Sequence, residues 1–159
     1  FVTSATWSGR ITVAGGLGGG DDACLSAAQA AGLGDRWRAW LSTTVVDAID
    51  RVTDVGPWYD LADTMIFADR ASLMTSPLWA LARDEHGVAL ASESIWTGTG
   101  YGGTFFGAAP GQAPCAEWTS PNPDDAAMVG QIGRQDGAAW TAVFATACDQ
   151  QAHLICLEQ

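Results

Sequence analysis

The sequence predicts an α+β domain, and three observations carry that reading. One Ala-rich run has helical spacing, several short apolar patches have the length of strands, and Gly- and Pro-containing turns separate them at close intervals. No internal repeat and no interdomain linker interrupts the 159 residues, a length that fits one domain.

Taken in order, residues 1–6 interleave aromatic and β-branched side chains with small ones and read as a strand, with 11–14 as its extension or partner. Residues 15–20 are nearly all glycine, a run too glycine-rich for regular structure. Asp21 and Asp22 then cap a helix over 23–31, with Cys24, Ala27, Ala28 and Ala31 on one face and Gly32 as the stop. Residues 36–41 alternate like a strand, a short helix is expected around 45–52, and Gly56-Pro57 marks a turn. Apolar patches at 65–68, 72–74 and 78–81 are too short to assign, and Asp84-Glu85-His86-Gly87 reads as a turn. Residues 94–97 form a short buried strand. The stretch 98–114, rich in Gly and carrying Tyr101, Phe105 and Phe106, reads as a long loop, and loops of that length in compact domains usually serve function. Residues 115–119 and 139–144 read as strands flanking a polar stretch at 120–137, and 153–157 as a closing strand.

The formal net charge is -11, and all seven basic residues are Arg. A polyanion needs a basic stripe that displaces its counterions, so nucleic acid and heparin-like partners are disfavoured, as is an anionic membrane surface. No apolar run is long enough for a transmembrane helix, and no signal peptide is visible; the reading is a mature or excised domain whose targeting segment is not shown. Ala dominates the hydrophobic residues, so bulk in the core must come from the eight Trp. Four widely spaced Cys, with no Cys-x-x-Cys pair and only two His, favour two disulfides over zinc, in any of three connectivities. Disulfides imply an oxidising compartment, hence a secreted or cell-surface protein.

As a set the motifs resemble the endostatin family within the C-type-lectin-like class. The resemblance rests on the N-terminal strand, the Gly-rich turn, Asp22-Ala23-Cys24 heading a helix, Ala30-Ala31-Gly32-Leu33 and Trp37-Arg38-Ala39-Trp40-Leu41-Ser42. Leu78-Trp79-Ala80-Leu81, Ile95-Trp96-Thr97-Gly98, Cys115-Ala116-Glu117-Trp118-Thr119 and Leu154-Ile155-Cys156-Leu157-Glu158 continue it in order along nearly the whole chain. It implies a twisted antiparallel sheet with one or two helices, paired N- and C-terminal strands, and nested disulfides Cys24–Cys156 and Cys115–Cys148. It also implies a bacterial secreted or surface protein, and a long loop that forms the usual binding surface.

The departures from the family are equally informative. The acidic motifs of calcium-dependent sugar-binding members are missing: 98–114 contains no carboxylate, and Trp140-Thr141-Ala142 has neither Asn nor Asp. The substitute calcium candidate is Ser120-Pro121-Asn122-Pro123-Asp124-Asp125, with Glu117 and Asp136 nearby; the competing and favoured reading is a turn and a helix cap before Ala126. No His precedes His86, so the family's zinc property does not carry over, and acids outnumber the seven Arg by more than two to one, so neither does its heparin property. His86 in its acidic turn reads as exposed and His153 as a packed or edge residue, with no nucleophile and base at telling spacing, so no enzyme activity is expected.

Trp37, Trp40, Trp79, Trp96, Trp118 and Trp140 read as core, while Trp58 and Tyr59 join the loop aromatics as candidates for stacking on sugars or anchoring a protein. The functional expectation is a non-enzymatic extracellular binding or adhesion module, without cofactor, that recognises a glycan or protein partner. Its candidate contact residues are Trp96, Tyr101, Phe105, Phe106, Trp118, Asn122, Asp124 and Asp125. The alternatives are a subunit that self-associates through the same aromatics and a calcium-dependent lectin with non-standard ligands.

Overall fold

The computed structural model describes residues 1–159. One long helix, α1 (Gly16–Ala30), and one short helix, α2 (Ala48–Arg51), pack among eight short strands. The strands are β1 (Trp37–Ala39), β2 (Trp58–Tyr59), β3 (Met65–Phe67), β4 (Ser94–Trp96), β5 (Ala126–Gln131), β6 (Phe144–Ala147), β7 (His153–Leu154) and β8 (Cys156–Glu158). They form two antiparallel pairs, β1 with β8 and β2 with β3, and a four-stranded sheet in the order β6-β5-β4-β7. The architecture is therefore α+β, as expected, with small and mainly antiparallel sheets. The β4–β7 contact, however, is parallel.

Residues 1–6 do not form a regular strand. Val2 bridges Ile155 and Trp7 bridges Ala152, and a bend between them is tied by the Thr3 hydroxyl donating to the Ala5 carbonyl. The two ends of the chain nevertheless lie side by side, because the Cys156 amide donates to the Phe1 carbonyl.

α1 begins within the glycine run rather than after it, so Asp21 and Asp22 are interior positions and not caps. Tertiary contact overrides the low helix propensity of glycine here. A Cβ on Gly19 would stand 2.3 Å from the Ile11 carbonyl oxygen, and one on Gly20 would stand 2.5 Å from Leu41 Cδ1, so the helix can approach its neighbours only without side chains. Asp21 then acts as a clamp. Its carboxylate accepts the Ala39 amide at 3.0 Å and the Arg51 guanidinium at 2.6 and 2.7 Å, while Arg51 also donates to the Ala39 and Leu41 carbonyls.

The stretch 115–119 is not a strand. Cys115, Ala116, Glu117 and Trp118 have φ of 46°, 48°, 58° and 64°, a single left-handed turn. The amides of Trp118 and Thr119 donate to the Pro114 and Cys115 carbonyls, and Glu117 accepts the amide and hydroxyl of Thr44. Left-handed backbone costs about 1–2 kcal/mol for each L-residue, so neighbouring contacts must hold it. Cys115 and Trp118 are both fully buried and supply them. Ala116 has an exposed side chain, and glycine adopts φ > 0 freely; Ala116→Gly is therefore expected to stabilise the domain by about 0.5–1 kcal/mol. Urea denaturation checks this, and a loss of stability would show that the turn is not strained.

The expected strand at 139–144 starts only at Phe144, because Trp140 and Thr141 lie in a turn. β5 occupies the middle of what reads as a polar stretch, so Asp124 and Asp125 precede a strand and not a helix.

Two apolar clusters fill the interior. One holds both disulfides, Cys24–Cys156 and Cys115–Cys148, with Trp96 and Trp118; the other holds Trp40, Trp58, Phe67 and Trp140. The nested pairing is the one that the family resemblance implies. Trp79 departs from the core expectation at 61% exposure, whereas Trp58, read as a loop residue, is buried on β2.

Candidate functional site

The loop 98–114 is held in place by backbone hydrogen bonds. Thr99 bridges Phe105, the Phe106 amide donates to the Gly98 carbonyl at 2.8 Å, and the Gly100 amide to that of Thr104 at 2.8 Å. From outside the loop, the Asp47 carboxylate accepts the Phe105 amide at 2.6 Å. Within these ties Gly103 packs against Ile49 and Trp40, while the aromatic side chains turn toward solvent. Tyr101 is 63% exposed, Phe106 is 52% exposed, and Phe105 is half-buried. Phe105 to Gly111 line an open concavity of about 500 Å³, and the loop contains no charged side chain. Such a surface suits apolar or stacking contact, because fixed aromatics lose little freedom when a partner covers them.

Five of the eight expected contact residues are not on this surface: Asn122, Asp124 and Asp125 lie in the separate stretch 120–125, and Trp96 and Trp118 lie in the core. Trp96 and Trp118 are fully buried and meet edge to face at a centroid distance of 6.0 Å. Their indole N–H groups donate to the Trp7 and Ser42 carbonyls at 2.7 and 2.8 Å. Neither ring has a face left for a ligand, so the core reading of both holds and their place among the contact residues is withdrawn.

In 120–125 the side chains of Ser120, Asn122 and Asp125 are engaged locally, and the Asp124 carboxylate is not. Asn122 accepts the Asp124 amide at 3.1 Å through its side-chain oxygen, and Asp125 accepts the Ser120 hydroxyl at 2.5 Å. Asn122 and Asp124 are exposed and Asp125 is half-buried. Glu117 is turned to Thr44, and Asp136 pairs with Arg134 through two 2.8 Å hydrogen bonds, so neither joins Asp124 and Asp125. The bonds from Arg134 hold the Asp136 carboxyl below the usual carboxylate range. No group of three or more His, Cys, Asp or Glu side chains converges as a metal site.

His86 is exposed, 3.8 Å from the buried Glu85 carboxylate, which accepts the amide and hydroxyl of Ser4. His153 is buried, with Nδ1 at 2.6 Å from the Thr3 carbonyl and Nε2 at 2.6 Å from Glu93. The Thr3 carbonyl can only accept, so Nδ1 carries a proton, and the imidazole ties the N-terminal segment to the end of the chain. Both histidines thus have structural partners.

Sequence reasoning misses several exposed apolar side chains, among them Val45 beside the Asp47 anchor and Val143 and Phe144 at the edge strand β6. No local pattern distinguishes them from core residues. Compared with protein-family models the chain matches none, and no curated protein matches it.

Proposed function

We propose that this domain is a non-enzymatic extracellular binding or adhesion module of the C-type-lectin-like class, and that it engages a glycan or protein partner through the 98–114 face. The observation that carries the reading is the exposure of Tyr101 and Phe106 on a loop whose 98–106 portion is closed by backbone hydrogen bonds. Exposed aromatics on an ordered support resemble the anchors that dominate binding interfaces. The class is supported by the helix packed on β1, the adjacent chain ends and the nested bridges. The extracellular setting is supported by the two disulfides. No helix is long and apolar enough to cross a membrane.

A glycan and matrix-protein array, run with and without Ca²⁺, tests this function. Signal is expected for at least one ligand in chelator, and Tyr101→Ala with Phe106→Ala is expected to weaken it at least tenfold while changing stability by no more than about 1 kcal/mol. Undiminished binding by a folded double variant would remove the loop face from consideration. Assembly of the chain alone, read by light scattering, would favour the self-associating subunit, and signal lost only in chelator would favour a calcium lectin.

A further inference from the structure

A second cavity lies away from the loop, and no residue of 98–114 lines it. It has a volume of about 250 Å³ and sits between the β1–β8 pair and the β2–β3 hairpin. Five of its lining residues are aromatic, Phe1, Trp37, Trp58, Tyr59 and Phe67, and two are acidic, Asp60 and Glu158; no basic residue lines it. Phe1 and Trp37 pack at a centroid distance of 4.7 Å, tilted by 53°. Trp37 and Glu158 are direct partners across β1 and β8, so their side chains leave the same face of the pair. Trp58 is fixed by its indole N–H donating to the Glu158 carbonyl at 2.9 Å. Tyr59, 50% exposed, stands at the opening.

The two carboxylates differ. Asp60 is buried and already engaged, accepting the Ala62 and Thr64 amides and standing 3.4 Å from Arg83 Nε. The Glu158 side chain is exposed and makes no hydrogen bond or ion pair, and Arg36, across the adjoining groove, forms no bridge to it. The Phe1 nitrogen is fully buried and donates to the Cys156 carbonyl at 3.1 Å.

We infer that this pocket is a binding site for a small organic cation with apolar substituents, of the quaternary-ammonium kind. Aromatic faces attract a cation through their quadrupoles, most strongly where water is excluded, and an unpaired carboxylate at the rim adds the opposite charge. The volume, just below the usual range of about 300–1,000 Å³ for ligand pockets, sets the ligand's size: an alkylammonium headgroup and not a sugar chain.

The test is a titration of the 159-residue chain with choline and, in parallel, with 3,3-dimethylbutan-1-ol, its neutral isostere, following the indole N–H signals by NMR. Choline is expected to shift the Trp37 and Trp58 signals and to bind at least tenfold more tightly than the alcohol. Glu158→Gln, an exposed substitution, is expected to reduce that preference at least threefold, and Tyr59→Ala to weaken choline binding at least threefold. Equal affinity for the two compounds would mean a merely apolar pocket and would overturn the proposal. So would the absence of binding at millimolar choline, or shifts confined to other Trp residues.

Discussion

Replacing Cys24 and Cys156 together by Ala is expected to lower the unfolding free energy by about 5 kcal/mol, the loop-closure value for a bridge spanning 132 residues. The inner bridge, spanning 33, gives about 4 kcal/mol on the same chain-entropy basis. Domains of this size are stable by only about 5–15 kcal/mol, so loss of the outer bridge removes a third of that or more. The bridge also joins α1 to β8, which faces β1 and the aromatic pocket. Urea denaturation of the oxidised wild type and the double variant measures the difference. A loss below about 1 kcal/mol would show that the packing of α1 on β1, with the Asp21–Arg51 clamp, orders the chain without the bridge.

Trp118→Ala is expected to cost about 3–5 kcal/mol, the range for removing a fully buried large aromatic. Three contacts act together at this residue. Its ring meets Trp96, its edge presses on Gly98, where a Cβ would stand 2.8 Å from Cζ2, and its N–H serves the Ser42 carbonyl. Removing it also frees the left-handed turn that begins at Cys115. Trp118→Phe keeps a ring against Trp96 and gives up the hydrogen bond, so a smaller loss of about 1–3 kcal/mol is expected. Thermal and urea unfolding of both variants separates packing from hydrogen bonding. Equal losses would assign the effect to the N–H alone.

How far the sequence reveals the molecule depends on the range of the interaction concerned. The Ala-rich helix, β4 and the C-terminal strands are legible because their periodicity is local. β5 is hidden because it is a continuous run with a buried middle, and its Gly130 is required by a distant neighbour: a Cβ there would stand 2.2 Å from the Trp140 carbonyl oxygen. The candidate site divides in the same way. Tyr101, Phe105 and Phe106 stand out as aromatics in a Gly-rich loop, but Trp96 and Trp118, which flank that loop in sequence, are wrongly recruited with them, since a tryptophan looks alike in sequence whether it stacks on a ligand or on another tryptophan.

The acidic charge, the Trp content and the four Cys are properties of the sequence by itself, and they determine the net charge, the bulk available to the core and the residues that staple it. The closeness of contact is decided only by tertiary structure: which glycines continue a helix, which aromatics reach solvent, and that four non-glycine residues turn left-handed. The physical reason is that steric exclusion and burial depend on atoms brought together from distant parts of the chain, whereas charge and composition add up without regard to position.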